Sequence, residues 1–279
     1  FMDITASMVK ELRDETGLGM MECKKALQET NGDKQAAFKV LRERGLAIAG
    51  KKATRLAKDG RVACEIYDGG RSGVLIEVNC ETDFVARNAI FQAFMKELVA
   101  KARQTTDGAL AEAVKDQVAA KIAEIGENII VRRNVRYNVQ GVGAIAGYIH
   151  LGEKVGVLLE VGCGQDSTVA KEAFRDAVKD VTLHIAASNP QYLQRADVPA
   201  EVIQAEREIY AKQVENKPAN IVQKIVDGKL DKFYQQGCLV EQAFVKDPDV
   251  TVAEMLAARG KEVGDTLTIR RFVRYQVGV

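Results

Sequence analysis

The amino-acid sequence predicts an α+β fold with three parts. The first 50 residues place apolar side chains at helical spacing between turn signals, which predicts an N-terminal three-helix bundle. Two later segments match one another without gaps and have the pattern of β-hairpins, which predicts two repeated α+β subdomains, each a small antiparallel sheet covered by helices. Residues 199–236, late in the second subdomain, carry two amphipathic helical patterns, which predict an inserted antiparallel helical hairpin.

Capping and turn residues delimit the three helices of the bundle. Thr5 or Ser7 can cap the first helix, and Asp33 can cap the third. The second helix is expected over about 20–30, and the third is expected to stop just before Gly45. The side chains of the second helix that are expected to face inward are Met21, Ala26 and Leu27.

An internal repeat underlies the two subdomains. A shift of 83 positions places residues 60–80 over 143–163, and a shift of 138 places 129–137 over 267–275, both without a gap. The identical positions in the first of these segments are Gly60, Ala63, Ile66, Gly69, Gly73, Val74, Leu75, Glu77, Val78 and Cys80. Chance does not readily give two such matches, so each copy is expected to supply a strand, a glycine-containing turn, a second strand, a helix and a later strand.

These elements set the expected boundaries of the parts. The turns are expected at Gly69-Gly70 and Gly152-Glu153, and the helices that follow over about 84–103 and 168–187. In chain order, the parts are the bundle at 1–50, a basic linker at 51–59, the first subdomain at 60–141, the second subdomain at 142–279, and the helical hairpin inserted at 199–236.

The inserted hairpin is expected to turn at Asn216-Lys217-Pro218. A hairpin that projects from a compact repeat usually serves contacts with a partner or with a second subunit. Self-association through this hairpin is therefore one expectation that the sequence leaves open.

Composition and charge exclude several classes of protein. The chain has 279 residues, with 40 Lys+Arg against 39 Asp+Glu and a net charge of +1, whereas a general nucleic-acid binder carries a basic excess. No stretch approaches the roughly 18 apolar residues of a membrane span, and the charged residues near the N-terminus do not fit a secretory signal. The five cysteines are widely spaced without a CxxC pair, which favours reduced thiols in the cytoplasm over a zinc site.

Motifs for catalysis are missing from the sequence. It has no P-loop GxxxxGK(S/T), no GxGxxG that follows a strand, no HExxH and no GxSxG. His150 precedes the turn of the second hairpin and is expected at the surface, with a partner contact as the sharper interpretation. His184 lies in a helix between apolar residues and is expected to pack. The sequence therefore predicts no enzyme activity, no metal site and no cofactor.

The loop after the second strand of the first repeat is the main anomaly. It reads NCETDFVARN over 79–88, and the second repeat has Ser167 where the first has Phe84. In one interpretation, Thr82 or Asp83 caps the next helix and Phe84 packs onto the sheet as a hydrophobic staple. In the other, Phe84 is an exposed wedge for a partner; spacing alone favours the staple. The same ambiguity between core and partner-facing positions applies to Met20 and Met21.

At these positions the chain resembles the bacterial elongation factor Ts family, the guanine-nucleotide exchange factors of elongation factor Tu. The family's N-terminal signature is matched by ITASMVKELR at 4–13 and TGLGMMECKKAL at 16–27, and its second signature by EVNCETDFVA at 77–86. Both signatures are long and specific, and the resemblance covers essentially the whole chain. It implies a ubiquitin-associated-like (UBA-like) first domain, followed by two repeated subdomains with a helical hairpin in the second. Family members often continue with a short C-terminal helical module, whereas this sequence ends at Val279.

The resemblance also implies which residues contact the partner GTPase. Asp83 and Phe84 match the pair that intrudes beside its magnesium and phosphate site, where Phe84 would wedge between elements of the G domain. Thr82 and Val85 flank this pair, and His150 matches a histidine that touches another part of the domain. The other implied contacts are Val155 and Gly156 past the hairpin turn, Arg13, Met20 and Met21 in the first domain, and Lys52 in the connector.

The leading hypothesis is therefore an exchange factor that binds elongation factor Tu and promotes GDP release during translation elongation. It is expected in the cytoplasm, without a cofactor, a membrane or direct nucleic-acid contact. One alternative is a nucleic-acid-associated protein whose strand arginines track phosphates; these are Arg132, Arg133, Arg136, Arg270, Arg271 and Arg274. The near-zero net charge counts against it, and an enzyme that uses Asp83 with a histidine ranks last.

Overall fold

The computed structural model describes residues 3–150, 152–214, 216 and 218–279, and it confirms the α+β fold. The N-terminal bundle consists of α1 (Ala6–Thr16), α2 (Met20–Glu29) and α3 (Lys34–Lys52). Thr5 and Asp33 cap the first and third helices by accepting hydrogen bonds from backbone N–H groups of the first turn. The core of the bundle is small and is formed by Val9, Leu12, Cys23, Ala26, Leu27, Ala37 and Leu41.

Two predictions for the bundle are wrong. Met21 does not face inward, because the residue is 64% exposed and Cys23 occupies the core position on α2. The third helix does not stop before Gly45, because α3 continues to Lys52 and so includes the first residues of the predicted linker. Gly45 instead packs beside the backbone of Ala119: a Cβ atom there would lie 3.7 Å from the Ala119 carbonyl oxygen, an ordinary contact distance. The packing of α3 against the helix that contains Ala119 outweighs the low helix propensity of glycine.

The first repeat folds into a three-stranded antiparallel sheet with helices on its outer face. Its strands are β1 (Asp59–Tyr67), β2 (Ser72–Cys80) and β3 (Ile129–Asn138), in the spatial order β1-β2-β3. Its helices are α4 (Asp83–Arg87), α5 (Ala89–Ala102), α6 (Leu110–Ala113) and α7 (Lys115–Ile125). Phe91, Phe94 and Leu98 of α5 are fully buried and form the centre of this core.

The second repeat builds the same sheet from β4 (Gly143–Ile149), β5 (Val155–Gly162) and β8 (Thr268–Gln276), in the order β4-β5-β8. The agreement extends to a β-bulge, which lies between Glu77 and Val78 in the first sheet and between Glu160 and Val161 in the second. The other elements of this repeat are α8 (Asp166–Val169), α9 (Glu172–Ser188), α10 (Ala200–Lys212), α11 (Ala219–Gly237), β6 (Ala243–Phe244), β7 (Asp247–Thr251) and α12 (Val252–Val263).

The helix that follows each hairpin is not continuous, which corrects the prediction of single helices over 84–103 and 168–187. In the first repeat the chain is extended at Asn88, whose side chain accepts a hydrogen bond from the N–H of Ile90 and so caps α5. In the second repeat the equivalent break lies at Lys171, between α8 and α9. Helices α6, α7 and α12 and the short β6–β7 hairpin are additional to the predicted elements.

The two sheets pack face to face through a separate hydrophobic cluster. Its buried members are three pairs of repeat-equivalent residues: Val62 and Ile145, Leu75 and Leu158, and Tyr137 and Tyr275. Close approach depends on glycine at equivalent positions of the inner strands. A Cβ atom on Gly73 would lie 2.8 Å from Ile145, and one on Gly156 would lie 2.8 Å from Leu75. Both distances are shorter than a carbon–carbon contact allows, so the identical glycines of the repeat serve this interface.

Each sheet also sends an arginine to a tyrosine of the other sheet. The guanidinium of Arg133 lies 4.3 Å from the ring centre of Tyr275, and that of Arg271 lies 4.0 Å from the ring centre of Tyr137. The Nε–H group of each arginine donates to a fully buried glutamate of its own sheet, Glu77 or Glu160, at 2.7 Å. The core therefore has an approximate two-fold symmetry that reaches individual hydrogen bonds.

The inserted hairpin pairs α10 with α11, as predicted. Arg207 forms an ion pair with Asp227 at 3.1 Å, and the ammonium of Lys229 lies 5.4 Å from the ring centre of Tyr210. The predicted turn falls partly outside the described residues, since these do not include Lys217. Ile209 and Ile221 are exposed on the two helices. Over the part of the chain that the structure describes, no helix combines the length and the apolar character needed to cross a membrane.

Removing Arg133 should destabilise the fold more than removing Arg271. Arg133→Ala leaves the buried Glu77 without a cation, whereas Arg271→Ala leaves Glu160 with Arg270 at 3.2 Å. We expect Arg133→Ala to lower the free energy of unfolding by about 2–3 kcal/mol, below the full effect of breaking a buried ion pair because solvent reaches the guanidinium. We expect a loss smaller by roughly 1 kcal/mol for Arg271→Ala. Urea unfolding measures both, and an equal loss would contradict the assigned role of Arg270.

His184 is buried in the second subdomain, as predicted from its helical context. Its Nδ1 atom accepts a hydrogen bond from the backbone N–H of Val245 at 3.2 Å, so the neutral ring carries its proton on Nε2, which donates to the side-chain oxygen Oε1 of Gln242 at 2.9 Å. Burial lowers the pKa of His184 below its usual value of 6.5, and the hydrogen bond with Gln242 only partly opposes this.

The protein should therefore lose stability as the pH falls below about 6.5. Over this range the unfolded chain binds a proton at His184 while the folded chain does not, so the free energy of unfolding rises with pH and is greatest above the unfolded pKa. Urea unfolding between pH 5.5 and 7.5 measures this slope. We expect the slope to shrink in His184→Gln, and an unchanged slope in that variant would assign it to other groups.

Candidate partner-binding site

Phe84 is exposed at the start of a short, well-anchored helix. Thr82, one of the two candidate cap residues, is the N-cap of α4, and its hydroxyl accepts a hydrogen bond from the N–H of Val85. Val85 and Ala86 pack into the core of the first repeat, whereas Phe84 is 83% exposed. The interpretation of Phe84 as a staple onto the sheet is therefore wrong, because the neighbouring residues of the same turn make the inward contacts.

Asp83 lies beside Phe84 in the same turn. Its carboxylate forms an i,i+4 ion pair with Arg87 at 3.2 Å; the Arg87 side chain is largely exposed and the Asp83 side chain is partly exposed. Such surface pairs contribute little to stability, so the carboxylate can exchange this contact for another at small cost. Asp83 and Phe84 together offer one negative charge and one aromatic ring on a single helical turn.

The backbone that leads into α4 is held by Glu127, which sequence reasoning missed. One carboxylate oxygen accepts from the N–H groups of Glu81 and Thr82 at 3.1 and 3.0 Å, and the other accepts from the Thr82 hydroxyl at 2.7 Å. In return, Glu81 accepts from the N–H of Asn128 at 2.7 Å. A signal was present in the sequence, since the shift of 138 places Glu127 over Asp265 and so preserves an acidic residue just before the matched strands.

Cys80 lies directly before this loop and supports it. Its thiol donates to the carbonyl oxygen of Thr82 at 3.1 Å. Burial raises the pKa of the Cys80 thiol to about 12, so the group stays a neutral thiol. Cys80 therefore has a structural role and is a poor candidate for a reactive thiolate.

The turn between β4 and β5 lies at the same end of the first sheet as α4. The N–H of Val62 on β1 donates to the carbonyl oxygen of Glu153 at 2.8 Å. Lys154 donates to the carboxylate of Asp59 and to the carbonyl oxygen of Gly60. Asp59 in turn pairs with Cys80 across the sheet, two residues before the N-cap of α4. The second repeat thereby contributes its hairpin turn to the end of the first sheet that carries α4.

The pKa of Asp59 reflects the proximity of the hairpin turn and of α4. Burial opposes the charge of Asp59, but the hydrogen bonds from Lys154 and from the N–H of Gly60 outweigh it and hold the pKa of Asp59 below its usual value. The positive charge of Arg87 on α4 acts in the same direction. Positive charges on both the hairpin turn and α4 therefore lower the pKa of Asp59.

The predicted contact residues of this turn differ in accessibility. His150 is exposed, and its Nδ1 atom lies 3.1 Å from the hydroxyl of Tyr148. The backbone N–H of His150 donates to the carbonyl oxygen of Val155, and this bond closes the turn. Val155 is half-buried, whereas Gly156 is buried at the interface between the sheets. The structure therefore gives Gly156 a packing position and leaves His150 accessible.

The other predicted contact residues lie in the bundle, on α1, α2 and α3. The segment at the end of α7 connects this bundle to the loop before Phe84. Arg13 is exposed in the last turn of α1, and Met20 and Met21 are 54% and 64% exposed in the first turn of α2. Lys52 donates to the carbonyl oxygen of Gly126, the residue that ends α7 and precedes Glu127. The end of α7 thus contacts both the last residue of α3, which was predicted to lie in the connector, and the Phe84 loop.

The second repeat has the same frame without the aromatic side chain. Asp166 and Ser167 begin α8 and are exposed. Asp265 holds this helix start as Glu127 holds the first one. Only the first repeat therefore presents an aromatic residue here. Among the described residues, no group of three or more His, Cys, Asp or Glu side chains is arranged to bind a metal ion.

Comparison with known proteins gives a consistent result. A family profile described as Elongation factor TS matches residues 81–279. Elongation factor Ts of a Nitratiruptor species is 42% identical over 99% of this chain and 94% of that protein. The Elongation factor Ts proteins of Trichlorobacter lovleyi and Symbiobacterium thermophilum are 44% and 46% identical, over 99% of this chain and 93% and 92% of their own lengths.

Phe84→Ala should leave the stability of the fold nearly unchanged. The ring makes few contacts to lose, so we expect the free energy of unfolding to change by less than about 0.5 kcal/mol. The matched control is Phe91→Ala, which empties a fully buried site. This substitution should lower the free energy of unfolding by about 3–5 kcal/mol. Urea unfolding compares the two, and a loss above about 1.5 kcal/mol in Phe84→Ala would restore the staple interpretation.

Proposed function

The chain belongs to the elongation factor Ts family, and we propose that it binds elongation factor Tu and promotes the release of GDP from it. In this proposal, Phe84 enters between the elements of the partner that hold magnesium and phosphate, and Asp83 helps to displace them. The protein supplies binding free energy and takes part in no bond-making step. Because translation factors act in the cytoplasm, that is where we expect this protein.

The observation that carries the proposal is an exposed aromatic ring on a rigid support. A large apolar side chain that is 83% exposed gains free energy when a partner covers it. It lies on a turn that is capped by Thr82 and packed through Val85 and Ala86, so little backbone freedom is lost on binding. Aromatic residues in such positions are often the strongest contributors to an interface.

Exchange follows from linkage between two binding equilibria. If nucleotide and exchange factor each weaken the binding of the other, the factor speeds nucleotide loss, and the coupling is equal in both directions. Each 1.4 kcal/mol of coupling is about a tenfold change in affinity. Contacts to magnesium and phosphate depend steeply on geometry, so a side chain that moves the loops which make them is an effective source of coupling.

Other residues, exposed or half-buried, would extend the interface around Phe84. His150 and Val155 lie on the hairpin turn at the same end of the first sheet, and Lys52 lies near the end of α7. Arg13, Met20 and Met21 would form a separate contact on the bundle, where the flexible methionine side chains adapt to a partner surface. Thr82 and Gly156 act within the protein, the first by holding the loop and the second by packing.

Nucleic-acid binding through the strand arginines is the weaker candidate. Arg133, Arg270 and Arg271 pair with buried glutamates, and two of these arginines also stack on tyrosines. Arg136 donates to the carbonyl oxygen of Arg103. Arginines with such internal partners must exchange them before they can neutralise phosphates. Self-association through the α10–α11 hairpin remains a prediction.

The test is the release of a fluorescent GDP analogue from magnesium-loaded elongation factor Tu. We expect the wild-type protein to accelerate release, and we expect Phe84→Ala to slow the accelerated rate by about tenfold or more. Asp83→Ala should also reduce the rate. Ser167→Ala, at the equivalent position of the second repeat, is the matched control and should behave as wild type.

Two outcomes separate the parts of this proposal. No acceleration by the folded wild-type protein would contradict the exchange function as a whole. Acceleration that is equally strong in Phe84→Ala would keep the function but contradict the role of the ring.

A further inference from the structure

We propose that Glu127 is a positioning residue for Phe84. Its carboxylate fixes the two residues that precede α4, and so it sets the direction in which the ring leaves the surface. This inference rests on the proposed function, since it concerns how the same ring acts on the partner.

The contacts form a continuous connection from Glu127 to the first turn of α4. Oε2 accepts from the N–H groups of Glu81 and Thr82 at 3.1 and 3.0 Å, and Oε1 accepts from the Thr82 hydroxyl at 2.7 Å. The same hydroxyl oxygen accepts from the N–H of Val85 at 3.4 Å. Phe84 lies between these two anchored residues, so the carboxylate restrains the backbone on both sides of it.

A restraint is needed here because α4 has only five residues. A helix of this length is not stable on its own, and its chain is extended on both sides, at Thr82 and at Asn88. Without the carboxylate, two N–H groups at the helix start would lose their partner, and the turn that carries Phe84 would sample more conformations. Ordering that turn on binding would then weaken the interaction with any partner.

The second repeat shows that the restraint and the ring are separable. Asp265 accepts from the N–H groups of Gly164 and Gln165 at 2.9 and 3.0 Å and from the Thr168 hydroxyl at 2.6 Å. Each carboxylate thus accepts from the two backbone N–H groups that precede the helix, but the hydroxyl partner of Asp265 belongs to Thr168, the equivalent of Val85, and not to the equivalent of Thr82. Both acidic residues are half-buried. With Ser167 in place of Phe84, however, the second helix start holds no aromatic side chain. Asp265 is therefore an internal control for the structural part of the role.

The first experiment measures the ring's motion without any partner. The chain has no tryptophan, so Phe84→Trp introduces a single reporter at this position. We expect its time-resolved fluorescence anisotropy to show a larger fast component after Glu127→Ala, but no change after Asp265→Ala. An unchanged fast component in Glu127→Ala would overturn the proposal regardless of what the partner experiments show.

The second experiment measures GDP release from elongation factor Tu. We expect Glu127→Ala to slow the accelerated release by about tenfold, equivalent to about 1.4 kcal/mol, and Asp265→Ala to leave it unchanged. Glu127→Gln keeps an acceptor oxygen and should lose less than Glu127→Ala. In a Phe84→Ala background, Glu127→Ala should have no further effect, because the two residues act through one contact.

Circular dichroism and urea unfolding check that each variant is folded, and Glu127→Gln keeps the question answerable if Glu127→Ala does not fold. Equal slowing by Glu127→Ala and Asp265→Ala would assign both residues a purely structural role and overturn the proposal. Loss of exchange in Phe84→Ala with normal exchange in Glu127→Ala would overturn it while leaving the proposed function intact. Absence of exchange in the wild-type protein would instead reject the function itself.

Discussion

The face-to-face packing of the two sheets is the constraint on which the rest of the molecule depends. It requires glycine at positions 73 and 156 and places each interface arginine on a tyrosine of the other sheet, with a buried glutamate behind it. In this packing, β1 and β2 lie against β4 and β5. The turn after β4 contacts the start of β1, beside the helix that carries Phe84. Both repeats therefore contribute to this end of the first sheet.

The proposed function depends on a difference between the two repeats. Both repeats keep the same bulge, the same split helix and the same carboxylate at the helix start, yet only the first has an aromatic residue there. The second repeat instead carries the α10–α11 hairpin, which is absent from the first. Residues of the shared interior cannot change alone without disturbing their equivalents across the interface, whereas Phe84 and Ser167 face solvent and can differ freely. The two repeats thus share a backbone fold and differ in the side chains that they expose to solvent.

The repeat made the sheets predictable from the sequence, because identical glycines and β-branched residues mark strands and turns that must recur. The errors concern tertiary contacts. Gly45 has the local signature of a helix end, but its contact with Ala119 keeps α3 continuous. Asn88 breaks a helix whose apolar periodicity is uninterrupted. The exposure of Phe84 depends on whether Val85 and Ala86 fill the core below it, and the exposed position of Met21 depends on Cys23 in the same way. Periodicity does not decide which of two adjacent apolar residues is buried.

In the proposed function, the rigidity of the support beneath Phe84 has a specific consequence for exchange. A side chain can displace the loops of a partner only if its own support yields less than those loops do, since otherwise the binding free energy is absorbed in moving the wedge. The five residues of α4 could not provide such a support by themselves. They obtain it from Glu127, from the Cys80 thiol and from the core contacts of Val85 and Ala86, which connect the turn to the sheet and to the end of α7. Differential affinity for two states of a partner requires that the contact fit one state and not the other, and a fixed ring meets that requirement where a mobile one would adapt to both.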